Sequence, residues 1–128
     1  MDIGQLYLES VIKRFNDYKN LGDRTFAQLS GEDMHYQPDK ESNSIAVIIQ
    51  HLHGNMLSRW TNFLTEDGEK EWRQRDDEFE LHSFSNDELL KRWEEGWKVL
   101  LMAISSLKSD DLGKTILIRK EPHTVIDA

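Results

Sequence analysis

Cysteine is absent from the 128 residues, so the chain carries no disulfide, no thiolate metal ligand and no cysteine nucleophile. Basic residues are in deficit: 16 Lys and Arg against 24 Asp and Glu leave a formal charge of −8. They are scattered among acids rather than clustered, which excludes the phosphate-neutralising surface that a DNA- or RNA-binding protein needs. No apolar run approaches the roughly 20 residues of a membrane span. The start, Met1 to Gln5, has neither a basic nor an apolar signal region. A cytoplasmic protein with no nucleic-acid and no membrane partner is the expectation. Also missing are a glycine-rich phosphate loop, His-Glu-x-x-His, a carboxylate-dense calcium loop, Gly-x-Ser-x-Gly and the Glu-x-x-His of di-iron bundles.

What is present is a 38% apolar, 31% charged composition, which suits a small helical domain with a narrow core and solvated outer faces. A chain this long forms one domain, residues 1–128, burying roughly two-thirds of its unfolded surface. Ile3, Leu6, Tyr7, Val11, Phe15 and Tyr18 recur at three- and four-residue steps, predicting a first helix over about residues 2–29, with Gly22 a point of bending. Ser42 or Ser44 is a fitting N-cap for a second helix to about Thr65. Its apolar stripe comprises Ile45, Ile48, Ile49, Leu52, Met56, Trp60 and Phe63. Residues 66–84 show no period, and a connection longer than about 12–15 residues tends to be functional or disordered. Trp72, Phe79 and Phe84 suggest that it packs on the helices. Ser85-Asn86-Asp87-Glu88 is a capping box opening a third helix whose stripe runs from Leu89 through Trp93 and Trp97 to Leu107.

Thr115–Ile118 fits a short extended segment. Pro122–Ala128 then reads as the first turn of a fourth helix, without the C-cap or basic last turn that closes one. The expected fold is all-α: an up-and-down four-helix bundle with the fourth helix largely missing. The rest of that helix would come from a longer chain or a partner, and a chain without it would expose apolar stripes that drive association.

Among five histidines, His51 and His53 invite a metal reading. On a helix, however, positions i and i+2 diverge by about 200°, so the two cannot share an ion. With Ile45 at zero, His51 falls at about 240°, Asn55 at about 280° and Arg59 at about 320°. They form a polar ridge beside the apolar stripe, where bundles build metal and ligand sites from facing helices. The bland alternative is a half-buried histidine bonded to a neighbour and a surface arginine. His35 and His82 read as solvated and His123 as a helix-boundary residue. Arg73, Arg75, Asp76, Asp77 and Glu78 form either a charged lid over an anionic substrate or an ordinary solvated loop.

The run Ser44-Ile45-Ala46-Val47-Ile48-Ile49-Gln50-His51-Leu52-His53-Gly54-Asn55-Met56-Leu57-Ser58-Arg59-Trp60 resembles the second helix of the DinB/YfiT-like superfamily of bacterial helical bundles. Thr61–Thr65, Asp67–Lys70 and Trp72–Phe79 fit an uncharacterised branch of it. The resemblance spans essentially the whole chain and is most specific over residues 44–79. It implies a four-helix bundle, often a homodimer, holding a divalent metal ion (nickel or zinc) on three histidines. One comes from helix two and matches His51; a His-x-x-x-His pair on helix four maps beyond Ala128. Such a site leaves an open position for water or substrate.

The function so implied is a metal-dependent enzyme of thiol-dependent transferase or hydrolase type. A low-molecular-weight thiol is a possible co-substrate, and a small-molecule substrate would lie near Asn55 and Arg59. The competing expectation is a non-catalytic bundle acting as a binding or dimerisation module.

Overall fold

In the computed structural model, which describes residues 2–80, 82 and 84–128, the chain forms three helices followed by a hairpin. The Asp2 carboxylate accepts the Gln5 N–H at 2.8 Å and so supplies the N-cap of α1, Ile3–Ala27. The helix runs through Gly22 without interruption. This glycine is there for packing: a Cβ would collide with Cζ2 of Trp93 and stand 2.7 Å from its Cη2. Around that contact, the Trp93 indole N–H donates to Asp23 at 2.7 Å. Phe26 meets the same ring edge-on at 4.8 Å, and Lys19 bridges Asp23 at 2.9 Å and Glu94 at 3.0 Å.

Ser44 accepts the Val47 N–H at 3.2 Å and caps α2, Ile45–Trp60. Of the two serines proposed from the sequence, this is the one used. The helix ends short of the expected Thr65 because its last turn is tied to the following loop. Lys70 Nζ donates to the Ser58 carbonyl at 2.7 Å and to the Asp67 carbonyl at 2.6 Å. Ser58 Oγ donates to the Gly68 carbonyl at 2.9 Å and accepts the Lys70 N–H at 2.8 Å. A buried ammonium at a helix C-terminus satisfies orphan carbonyls and complements the dipole, so the chain leaves the helix with Thr61 extended and Asn62 at φ 50°.

Ser85 accepts the Glu88 N–H at 3.2 Å and caps α3, Asn86–Ser105, as the capping box predicts. Leu89, Trp93, Trp97, Leu100 and Ile104 form its buried face, and both tryptophans are core. The main packing is between α2 and α3, with α1 more lightly attached. Leu89 and Ile49 are fully enclosed between them, each worth about 1.5–3 kcal/mol of burial. Ile48, expected on the α2 stripe, is exposed, and Val47 is buried in its place.

Beyond α3 the structure departs from the sequence reading. Thr115–Ile118 is extended as expected and forms β1, but Glu121–Thr124 is its antiparallel partner β2 rather than the opening of a helix. Thr115 pairs with Thr124 and Ile118 with Glu121. Pro122 is compatible with a two-stranded ribbon because an outer strand does not need every N–H. A helix-like bond does exist, from the Ala128 N–H to the Thr124 carbonyl at 3.1 Å, but it starts at the last residue of the strand and not at Pro122. The described fold is therefore mostly helical, with three long helices and one hairpin. No described helix is long and apolar enough to cross a membrane.

One side of α1 stays uncovered. Leu6, Tyr7, Tyr18 and Leu21 are between 40% and 64% exposed, although the period places them on the helix's apolar side. A groove of about 420 Å³ runs between α1, Trp60 and Phe63 at the end of α2, Ile104 and Leu107 at the end of α3, and Ile126.

Candidate functional site

The face of α2 that carries His51, Asn55 and Arg59 is covered by the segment from residue 66 to residue 80. Gln50, buried on the same helix, helps hold this segment by donating to the Glu78 carbonyl at 3.4 Å and the Glu80 carbonyl at 3.3 Å. A short 3₁₀ turn, Asp77–Phe79, presents Glu78 to the helix. The approach depends on Gly54, where a Cβ would overlap the Glu78 carboxylate and stand 3.1 Å from its Cγ.

Glu78 is the centre of the site. Its Oε1 lies 3.2 Å from His51 Nδ1, and Arg73 grips both oxygens, Nε to Oε2 at 2.9 Å and Nη2 to Oε1 at 2.9 Å. The Arg73 side chain is 3% exposed and that of Glu78 9%, so this bidentate pair is scarcely screened by solvent. The Glu78 hydrogen bonds hold the Arg73 guanidinium pKa above its usual value despite the burial that opposes them. A third bond runs from Arg73 Nη1 to Glu69 at 3.2 Å. The His51 ring is further fixed by Phe79, whose ring lies 4.8 Å away at 31°. An imidazole held at Nδ1 by a carboxylate has its orientation set and its Nε2 left for other work.

Arg59, two turns along the ridge from His51, sits differently. Its Nε is buried without a hydrogen-bond partner. Burial pulls its guanidinium pKa below the usual value; the charge of Glu69 opposes this, Arg73 and Arg119 reinforce it, and Asp67 opposes it. Its stem passes beside Gly68, where a Cβ would stand 2.9 Å from both its Cδ and its Nε. Asn55 lies half-buried on the helix turn between them.

The ridge of His51, Asn55 and Arg59 predicted from the sequence is thus present on α2, and His53 points elsewhere, 3.2 Å from Glu95. His35 meets Asn86 at 3.2 Å, His82 meets Asp77 at 3.2 Å, and His123 is in β2, not at a helix boundary. The charged run divides: Arg73 and Glu78 turn inward, while Arg75, Asp76 and Asp77 stay exposed. Phe84 packs under Arg92 at 4.2 Å; Phe79 meets the His51 ring but stays 42% exposed, and Trp72 is 53% exposed. The contact of Glu78 with His51, and the grip of Arg73 on Glu78, were not legible in the sequence, because the loop that carries them has no period linking it to α2.

As a metal centre, the chain offers His51 with a fitting second-sphere carboxylate and little more. Both Glu78 oxygens are taken by a guanidinium, which disfavours a cation there. Among the described residues no group of three His, Asp or Glu side chains is arranged to hold a metal ion. The described side chains therefore do not complete a three-ligand set, and no reaction step is derived through one.

In comparison with known proteins, the sequence model of the family described as "Protein of unknown function (DUF1572)" matches residues 2–128. No curated protein and no solved structure matches the chain.

Proposed function

The chain belongs to that family of unknown function, and from this premise we propose that it is built on the four-helix plan of the DinB/YfiT-like superfamily and contributes His51 as a ligand to a divalent ion, nickel or zinc. The observation that supports this most directly is the His51 Nδ1 to Glu78 Oε1 contact of 3.2 Å, with Glu78 immobilised by Arg73. Metal-binding histidines characteristically give their second nitrogen to a carboxylate in this way. The remaining ligands implied by the resemblance, a His-x-x-x-His pair, map beyond Ala128. On this reading Asn55 and Arg59 contact a small-molecule substrate, and the chemistry is thiol-dependent transfer or hydrolysis. The bound metal would supply Lewis acidity at its open position; His51 and Glu78 would supply a fixed point of attachment.

The test is metal analysis of the untagged full-length protein and of its His51→Ala and Glu78→Gln variants. About one nickel or zinc per chain, lost in His51→Ala and loosened in Glu78→Gln, is the expected result. Metal retained in full by His51→Ala overturns the assignment.

The uncovered groove along α1 favours a second reading, a non-catalytic binding or dimerisation module. An apolar surface of this kind marks an interaction site, and a homodimer would cover it. Absence of metal from all three proteins, together with a dimer in sedimentation equilibrium, would favour this reading over the first.

A further inference from the structure

Glu78 also forms a wall of a second cavity, of about 270 Å³, which none of His51, Asn55 and Arg59 lines. Helix α2 borders it at Gly54 and Leu57, the following loop at Trp72 and Asp77, and α3 at Arg92. Its carboxylates are engaged. Arg73 grips both oxygens of Glu78, and Asp77 Oδ2 lies 3.2 Å from Nε2 of His82, another lining residue. Arg92 is the charged wall group left over. Its guanidinium carbon sits 4.2 Å over the Phe84 ring, and among the described residues it forms no ion pair. Glu95 is three residues further along the same helix, a spacing at which pairs form, yet it turns to His53 Nε2 at 3.2 Å. Glu94 turns to Lys19 at 3.0 Å. A cation held by a ring instead of a carboxylate keeps its hydrogen-bond donors for another acceptor.

Trp72 gives an independent sign. It lines the same cavity while remaining 53% exposed, and its backbone is firmly held. The Arg73 N–H closes a turn on the Lys70 carbonyl at 3.1 Å, with Trp72 inside the turn. At one end of that turn Lys70 is bound to the Ser58 and Asp67 carbonyls. At the other, Arg73 is bound to Glu78. Both anchors are buried groups, so the turn displays an indole to solvent from a fixed base. An aromatic ring presented in this way loses little freedom when a flat ligand stacks on it.

We propose that this cavity binds a small aromatic carboxylate, with its acid group on Arg92 and its ring against Trp72. A carboxylate matches the guanidinium fork, and an aromatic ring packs well on an indole. The volume of about 270 Å³ lies just below that of sites for drug-sized ligands, which suits a single ring with its acid group. The overall charge of −8 works against anions at long range, so recognition is local and weakens as salt rises. The site goes beyond the reading built on His51, Asn55 and Arg59, and it depends on neither the metal nor those residues.

The test is titration of the full chain, in metal-free buffer at constant ionic strength, with three probes. Benzoate carries both features, acetate the charge without the ring, and benzamide the ring without the charge. Nitrogen–proton NMR spectra report the indole N–H signals of the four tryptophans, that of Trp72 being assigned by its loss in Trp72→Phe. A saturable shift of the Trp72 signal with benzoate is expected, about tenfold tighter than with either other probe. Arg92→Gln should weaken benzoate binding about tenfold, the equivalent of losing one charge-assisted hydrogen bond. Dispersed signals from the other three tryptophans show that this variant is folded; if it is not, the comparison of the three probes on the wild type decides alone. No saturable shift with benzoate overturns the proposal. So does acetate or benzamide binding as tightly as benzoate, or a folded Arg92→Gln protein that binds benzoate undiminished. None of these results bears on metal content, so a failure here is distinguishable from a failure of the His51 assignment.

Discussion

Replacing Glu78 by glutamine tests whether the ion cluster beside His51 is structural. The substitution keeps the shape and removes the charge. Arg73, whose side chain is 3% exposed, would retain only Glu69 at 3.2 Å, and an amide nitrogen could be forced against the guanidinium. Breaking a buried pair by removing one partner costs about 3–5 kcal/mol. With Glu69 as a residual partner, the lower end of that range, about 3 kcal/mol, is expected. For a domain of this size that corresponds to a fall in Tm of roughly 10–15 °C. Urea unfolding at neutral pH, followed by far-UV circular dichroism, measures the cost. The double variant Arg73→Met with Glu78→Leu should recover most of it, since apolar replacement of a buried ion pair is often neutral. A loss below about 1 kcal/mol for Glu78→Gln, the range of solvated surface pairs, would refute the account of a sequestered cluster.

Two further predictions concern the junction of α1 with α3. Partial burial works to raise the Asp23 carboxyl pKa, but hydrogen bonds from Lys19 and Trp93 outweigh it and hold it below the ordinary value. A depressed carboxyl contributes stability that is present above its unfolded pKa of about 3.9 and is lost as pH falls through the folded value. The gap in urea midpoint between wild type and Asp23→Asn should therefore be clear near neutral pH and narrow at about pH 3; a gap unchanged by pH would contradict the assignment. Gly22→Ala should destabilise by about 1–3 kcal/mol through overpacking against Trp93, even though alanine gains up to about 1 kcal/mol in helix propensity. A thermal melt showing a more stable variant would mean that the ring does not press on the helix there.

The sequence by itself determined the elements whose cause is local. The start of α3 follows from Ser85, and that of α2 from one of two serines, Ser42 or Ser44, because a serine oxygen three residues before a free amide is a short-range geometry; the structure uses Ser44. The buried face of α3 follows from its period, and so does the shared ridge of His51, Asn55 and Arg59. Tertiary structure decided what depends on contacts distant in sequence. The end of α2 at Trp60 is set by Lys70 and Ser58 binding a loop. The glycine inside the unbroken α1 makes room for Trp93, a residue of another helix far along the chain, whereas glycine alone signals a bend. Pro122 and its neighbours form a strand because β1 is available to pair with them. Glu78 reaches His51, and the Arg59 Nε is buried without a hydrogen-bond partner, through the path of a loop that has no periodicity to read. Periodicity records which way a side chain faces on its own element; the group it meets is settled only when the elements pack.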